Sequence, residues 1–274
     1  MRLIFVGLFF LFHRSSLYSQ KINNNKDSLI YERQKPSKVS HAEPLYIDLI
    51  RDLGARKGEK EWNVAMGMND NNGYYKFSPL IEYEWAPIDR LGLEVELPFS
   101  YYHSYSKDVQ APSNKLNEIK LAAQYTFFVS DKHATSMALG YIQEFKLNSF
   151  DNYGKKVFFT GVSYNPFYVI AKRWGQDFHT LFYTGPVFED TFVSSPTSTT
   201  WQINSNFHYM PLGSRNFIGL ELNKKIRDGQ FDMTFRPQMR IVLSHKLIVG
   251  GLVGIPLNRE KEGISGFMRI IYEP

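Results

Sequence analysis

The sequence contains no cysteine among its 274 residues. This absence excludes a disulfide-stabilised scaffold, a thiolate metal site and a cysteine nucleophile. The chain also lacks any run of 18 or more apolar residues, which excludes a bundle of transmembrane helices. The net charge is only +5 and the basic residues are dispersed, so we do not expect nucleic-acid binding. Gly-rich phosphate loops and the HExxH and GxSxG motifs are missing as well, and we predict no cofactor.

The N-terminus has the pattern of an export signal. Met1 and Arg2 give a short positive start, Leu3–Phe12 is a ten-residue apolar run, and a polar stretch follows it. This order is typical of a secretory signal peptide, and the apolar run is too short to cross a bilayer as a helix. We therefore predict a signal peptide over residues 1–19, whose removal lowers the net charge from +5 to +3. A buried apolar strand is the alternative interpretation.

Residues 20–60 are predicted to form a periplasmic arm with one short amphipathic helix. Residues 20–42 are rich in Asn, Lys and Ser, which is typical of a linker. A helix of about ten residues is predicted from Pro44 to the stop signal at Gly54. Its apolar face, at i, i+3, i+4 and i+7, consists of Tyr46, Leu49, Ile50 and Leu53. So short a helix must dock on something, either a barrel lumen, a barrel rim or a partner.

A metal site in this arm is not expected. His41, Glu43, Asp48 and Asp52 lie close together in the sequence, but their spacing matches no metal-binding motif. We interpret them as helix-capping and solvated charges.

From Glu61 onward the apolar residues recur with a period of two. Trp62, Val64, Met66 and Met68, for example, alternate with polar or small residues. About twelve such strands are predicted up to residue 272, and many have 10–14 residues, which suits a tilted membrane-spanning strand. Tight connections alternate with longer polar ones, as in outer-membrane barrels. We predict an all-β fold in which residues 61–274 form an antiparallel transmembrane β-barrel; a secreted β-sandwich is the alternative.

Prolines inside the predicted strands are the main conflict with this fold, because a closed barrel has no edge at which a missing N–H is harmless. Each of these sites is expected to need a bulge or to lie where the wall rises above the membrane. The prolines concerned are Pro79, Pro98, Pro166, Pro186 and Pro237.

The polar face of the strands carries the candidate site. A three-residue loop, 88–90, between the second and third strands would place Glu84 opposite Glu94 and Glu82 opposite Glu96. Like charges directly opposite each other destabilise a sheet unless a positive charge lies near them. Long side chains from other strands can supply this charge, because they can reach across a narrow barrel. We predict a lumen ion network made of Glu82, Glu84, Glu94, Glu96, Glu221, Arg236, Arg240 and Arg269. It is interpreted either as a selectivity constriction or, because its signs are mixed, as ion pairs that hold the barrel shape.

Enzymatic function is not expected. Paired carboxylates could serve glycoside hydrolysis, but glutamates beside arginines stay ionised, which argues against a general acid. A barrel phospholipase would place a His and a Ser two residues apart on an outward face. His103 lies one and three residues from Ser104 and Ser106, and His208 has no serine near it on its face. We assign no catalytic and no metal-binding residues.

Two segments resemble a known family. His41–Asn63 and Pro79–Pro98 are similar to the corresponding stretches of uncharacterised Gram-negative outer-membrane barrels. The resemblance covers most of the mature chain and implies an outer-membrane barrel with no functional residues to transfer. Some members carry a purine-biosynthesis label, formylglycinamidine synthase, but that reaction requires a nucleotide site and a thiol. The chain ends Tyr272-Glu273-Pro274, whereas barrels of this kind usually end on an aromatic residue.

These observations predict an outer-membrane protein in contact with lipid, and three functions follow. The first is a non-enzymatic channel or binding barrel for small polar solutes. The second is a structural or assembly subunit whose residues 20–60 contact a periplasmic or envelope partner. The third is a lipid hydrolase that uses His103 or His208.

Overall fold

Twelve long antiparallel strands close into a barrel in the computed structural model, which describes residues 36–47, 49–71, 73–192, 197–259 and 263–274. Consecutive long strands pair with each other, and the first strand pairs with the last. The strands are β1 Lys60–Asn71, β2 Tyr74–Ile88, β3 Leu91–Ser104, β4 Lys115–Leu116, β5 Glu118–Ser130, β6 Thr135–Leu147, β7 Phe159–Trp174, β8 Phe178–Thr191, β9 Ser198–Tyr209, β10 Phe217–Arg227, β11 Gln230–Ser244, β12 Leu247–Pro256 and β13 Ser265–Tyr272. The two-residue β4 pairs with β3 directly before β5 does and adds no further strand to the ring, so the predicted count of twelve is confirmed.

The apolar side chains point outward, as predicted. In β1 the residues Trp62, Val64 and Met66 are 45–52% exposed, whereas Asn63 between them is fully buried. The same alternation runs around the ring, so large apolar groups cover the outside and polar groups fill the inside. A closed ring with an apolar exterior requires lipid around it and excludes the β-sandwich. This surface places the protein in an outer membrane.

The two ends of the barrel differ in their connections. One end, here called the short-turn end, carries the connections 89–90, 131–134, 175–177, 210–216 and 245–246. The opposite long-loop end carries longer segments, including 105–117, 148–158 and 257–264. A 3-10 turn, Phe150–Asn152, lies in one of these loops. Both β1 and the end of β13 reach the short-turn end, which faces the periplasm in barrels of this type.

The register of β2 and β3 matches the prediction, although the turn does not. Glu82 pairs with Glu96 and Glu84 with Glu94. The turn contains two residues, Asp89 and Arg90, rather than three, because a bulge between Trp85 and Ile88 supplies the extra residue. Arg90 adopts φ 69°, the left-handed conformation that such a tight turn requires.

All five prolines lie within strands, and the wall adapts to them locally. The β7–β8 ladder is interrupted between the pairs Tyr164–Phe188 and Tyr168–Thr184, where Pro166 and Pro186 lie. The side chain of Asn165 replaces part of the missing ladder, since its Nδ2 donates to the carbonyl of Pro186 at 2.8 Å. A similar interruption in β2–β3 falls at Pro79.

The described residues of 36–59, here called the plug segment, lie inside the barrel at the short-turn end. The prediction of a helix over residues 44–53 is wrong, because the described residues of this stretch form bends and turns. Their backbone N–H groups donate to side chains of the wall instead of to carbonyls four residues earlier. Arg51 has φ 66°, which no α-helix tolerates. Ala42 and Leu45 also face one apolar cluster while Ile47, Ile50 and Leu53 face another, so the segment has no single apolar face.

Among the described residues, no helix has the length and apolar character needed to cross a bilayer. The signal peptide and the first part of the arm lie outside the described residues, so the boundaries 1–19 and 20–60 remain predictions.

Candidate functional site

The plug segment is anchored to the barrel wall through its own backbone. Glu221 of β10 accepts the N–H groups of Tyr46 at 3.3 Å and Ile47 at 2.9 Å. Gln238 of β11 accepts the N–H of Leu45 at 2.8 Å. On the other side of the lumen, Glu84 of β2 accepts the N–H of Arg51 at 2.8 Å. Buried carboxylates and one amide therefore accept hydrogen bonds from plug N–H groups that take part in no helix or sheet.

Further wall residues complete a ring of contacts. Gln124 of β5 donates to the carbonyl of Arg51 at 2.9 Å, and Thr126 accepts the N–H of Gly54 at 2.9 Å. His179 of β8 accepts the N–H of Ala42 at 3.2 Å. Contacts from β2, β5, β8, β10 and β11 mean that the plug segment crosses the whole lumen.

Glycines in the wall let the plug segment approach closely. A Cβ on Gly92 of β3 would lie 2.0 Å from the carbonyl oxygen of Ile50, and a Cβ on Gly250 of β12 would lie 2.5 Å from a methyl group of Leu45. Both distances are far shorter than a van der Waals contact. The wall is therefore shaped to accept this segment.

Five glutamates form a buried acidic cluster on β1, β2 and β3. Their residue exposures range from zero to 9%. Asn63 lies in the middle, where the two hydrogens of its Nδ2 are shared among Glu82 at 2.6 Å, Glu61 at 2.9 Å and Glu84 at 3.1 Å. The members of this cluster are Glu61, Glu82, Glu84, Glu94 and Glu96.

Three basic side chains, each from a different part of the chain, form ion pairs with the acidic cluster. Lys120 of β5 lies 2.7 Å from Glu96 and 3.0 Å from Glu94. Arg269 of β13 lies 3.6 Å from Glu82. Arg51 of the plug segment pairs with Glu61. Arg269 was predicted for this position, whereas sequence reasoning missed Arg51 and left Lys120 out of the network.

The other predicted members lie elsewhere in the lumen. Glu221 accepts backbone N–H groups of the plug segment. The guanidinium of Arg236 stacks 3.6 Å from the centre of the Tyr46 ring. Arg240 donates to the carbonyl of Arg215 at 3.0 Å and lies over the ring of Phe217. Among the described residues, no ion pair joins Arg236 or Arg240 to the acidic cluster. Their strand, β11, is four positions from β2 in the sheet, so the predicted single network is divided between two sides of the lumen.

A second group of charges lies at the short-turn end of the plug segment. Lys38 lies 2.6 Å from Asp52 and 2.7 Å from Glu59. Burial opposes ionisation of Asp52, but Lys38 and Arg51 hold the pKa of this carboxyl well below its ordinary value. Burial and the charge of Asp52 raise the pKa of Glu43 well above its ordinary value.

On the long-loop side of the plug segment lies a cavity of about 300 Å³, here called the vestibule. Tyr46 and Ile47 contribute from the plug segment, and strands from all sides form the walls. The polar residues of the walls are Glu96, Lys120, Glu144, Asn165, Gln202, Asn204, Asn223, Lys225 and Arg269.

In the described part of the lumen, one group of three carboxylates has the close spacing that a metal ion would require. One carboxylate oxygen from each of Glu82, Glu94 and Glu96 lies within 4.8 Å of the others. Lys120 and Arg269 already contact these carboxylates, which disfavours a further cation. These three carboxylates are therefore already ion-paired with side chains of the wall.

No Ser–His–acid arrangement occurs in the part of the chain that the structure describes. His103 is exposed, and the hydroxyl of Ser104 donates to backbone carbonyls instead of contacting it. His208 is fully buried against Phe217. His41 does contact Ser136 at 2.9 Å, but its Nδ1 has no hydrogen-bond partner and burial lowers its pKa to about 3. An unoriented His with so low a pKa is a poor general base.

Comparison with known proteins connects the plug segment to a family. The sequence model of the HAEPLYID-like family matches residues 37–273, which is most of the chain. This protein belongs to the HAEPLYID-like family. The eight letters of that name are residues 41–48 of this chain, so they fall in the plug segment. No protein of curated function matches the sequence.

The HAEPLYID-like chain is also similar in fold to solved outer-membrane barrels. An outer-membrane channel from Pseudomonas putida F1 is 13% identical, with a TM-score of 0.61 over 83% of this chain and 100% of that one. The KdgM porin is 17% identical, with a TM-score of 0.52 over 77% and 98%. The NanC porin is 8% identical, with a TM-score of 0.52 over 78% and 99%. At these identities the likeness supports the barrel fold.

Proposed function

We propose that this HAEPLYID-like barrel is a non-enzymatic outer-membrane channel for small polar solutes, and that its plug segment closes the periplasmic end of the pathway. The observation that carries the proposal is the lumen itself, which is polar, contains the vestibule and is crossed by one short segment. Solved neighbours of the same fold include porins, one of them in a complex described as KdgM with oligogalacturonate. The function needs no catalytic group.

The way the plug segment is held favours a movable barrier. Its described residues belong to no strand of the sheet, so they can leave without breaking the barrel. They are held by individual hydrogen bonds, two apolar clusters and the Arg51–Glu61 ion pair. Opening then requires local rearrangement of one segment, which costs far less than unfolding the barrel.

The test is single-channel conductance of the refolded mature chain in a planar bilayer, beside a variant that lacks residues 20–58. We expect rare or small openings in the full chain and steady, larger conductance in the deletion variant. Equal conductance in both would contradict the closing role of the plug segment. Absence of conductance in both would overturn the channel.

The assembly function has less support, since residues 36–59 face the lumen and only residues 20–35 remain for a partner. Residues 20–35 lie outside the described part of the chain. Deleting them alone should leave conductance unchanged if the channel proposal holds, whereas loss of a co-purifying envelope protein would favour the assembly subunit.

A further inference from the structure

Of the five charged side chains that line the vestibule, only Glu144 and Lys225 have no ion pair among the described residues, and these two carry opposite charges. Lys120 bridges Glu94 and Glu96, and Arg269 lies against Glu82. Glu144 accepts a hydrogen bond from the hydroxyl of Ser163. A charged solute would have to compete with these contacts or leave its charge unpaired, which is costly in a confined site.

Amide side chains supply uncharged hydrogen-bonding groups in the vestibule walls. Asn204 and Asn223 face each other across β9 and β10, and the Nδ2 of Asn223 donates to Asn204 at 3.1 Å and to Glu221 at 2.7 Å. The Oδ1 of Asn223 is buried without a hydrogen-bond partner, although the side chain lines the cavity. Amide side chains in a cavity wall can offer both a donor and an acceptor to a ligand. Gln202 and Asn165 add further amides to the same walls.

An aromatic ring lies beside these amides. Tyr46 of the plug segment lines the vestibule and remains 42% exposed, although it lies inside a barrel. Arg236 stacks on its ring at 3.6 Å and Phe267 meets it edge-on at 6.3 Å. An aromatic group with a free surface next to hydrogen-bonding amides suits a ligand that has both C–H faces and hydroxyl edges.

We propose that the vestibule binds a neutral saccharide of one or two rings, whose hydroxyls meet Asn204 and Asn223 and whose ring packs on Tyr46. This inference rests on the proposed channel function and names the class of solute that the channel admits. Hydroxyls donate and accept, so they match both the N–H groups and the oxygens that amide side chains offer. A volume of about 300 Å³ lies at the small end of ligand pockets, which limits the ligand to one or two sugar rings.

The test is isothermal titration calorimetry of the full mature chain in detergent micelles with maltose, cellobiose and digalacturonic acid. We expect at least one neutral disaccharide to bind more tightly than digalacturonic acid. Tighter binding of the acidic disaccharide, or no binding of either neutral one, would overturn the inference.

Two variants on the same strand locate the site. Asn204→Leu removes an amide that lines the vestibule, and we expect affinity for the neutral disaccharide to fall about tenfold, the effect of losing one or two hydrogen bonds. Asn206→Leu is the matched control, because Asn206 is equally buried two residues further along β9 but does not line the vestibule. Equal loss in both variants would contradict the proposed site.

Failure of the saccharide proposal can be distinguished from failure of the channel proposal. Conductance of the plug-deletion variant without any saccharide binding would refute this inference and leave the channel proposal intact. Saccharide binding without conductance in either chain would refute the channel and indicate a binding barrel.

Discussion

At the scale of single residues, Arg51 links the plug segment to the acidic cluster of the wall. It is 4% exposed, pairs with Glu61 and lies 3.9 Å from Glu84, while its backbone N–H donates to the same Glu84. The sequence alone marks it as one more polar residue of a short amphipathic stretch. Its burial depends on the fold of the plug segment, which brings it to carboxylates on β1 and β2.

We expect Arg51→Met to destabilise the folded protein by about 3–5 kcal/mol, because it leaves buried carboxylates without their cation. The free energy of unfolding, measured by urea titration of tryptophan fluorescence in micelles, checks this value. Arg56→Met is the control, since the Arg56 side chain contacts only the carbonyl of Pro36 among the described hydrogen bonds. Adding Glu61→Gln to Arg51→Met should recover part of the loss, and a further loss would contradict the assigned pairing.

At the scale of elements, the strands and the plug segment follow different rules. A strand alternates its faces locally, so the period of two in residues 61–69 and 91–99 is sufficient to identify β1 and β3 and the side that each residue faces. The plug segment has helical spacing at Tyr46, Leu49, Ile50 and Leu53, yet it forms bends. Wall carboxylates and amides outcompete the helix for its N–H groups, and two separate apolar surfaces divide its side chains.

We expect Gly92→Ala to displace the plug segment, because the added Cβ would lie 2.0 Å from the carbonyl oxygen of Ile50. Overpacking of this kind costs about 1–3 kcal/mol, enough to shift a segment held by a few hydrogen bonds. Limited proteolysis of the segment in micelles, together with conductance, measures the displacement.

Gly266→Ala on β13 is the control for Gly92→Ala, since a Cβ there meets nothing within 4 Å. Gly92→Ala with the proteolysis pattern and conductance of the unchanged chain would refute the close fit between β3 and the plug segment.

At the scale of the whole molecule, charged and apolar side chains occupy different sides of the lumen, and the plug segment and the vestibule lie at different depths along the barrel axis. The acidic cluster and its cations occupy the β1–β3 side, an apolar cluster covers the lumen wall of β5–β8, and the plug segment connects them. The vestibule lies beyond it, toward the long loops. If the plug segment closes the channel as proposed, the short-turn end opens by movement of that segment.

A disulfide that ties the plug segment to the rim should prevent that movement. Ser37 Oγ donates to Asp131 Oδ2 at 2.5 Å, and the chain has no cysteine of its own, so Ser37→Cys with Asp131→Cys creates a single tether. Under oxidising conditions we expect openings in a planar bilayer to cease, and under reduction to return. The single variant Ser37→Cys controls for the substitution. Identical conductance in the oxidised and reduced tethered chain would show that the segment stays in place while solutes pass.

The sequence by itself determined the barrel, its twelve strands, the outward apolar face and the pairing of Glu82 with Glu96, because each follows from alternation along one strand or across one hairpin. Only the tertiary structure decided the conformation of the plug segment and the partner of each lumen charge. Arg51 meets Glu84 across 33 positions of the sequence and Ile47 meets Glu221 across 174. Such contacts form between elements that closure of the ring brings together, and no local pattern encodes which of the polar side chains facing one lumen will meet.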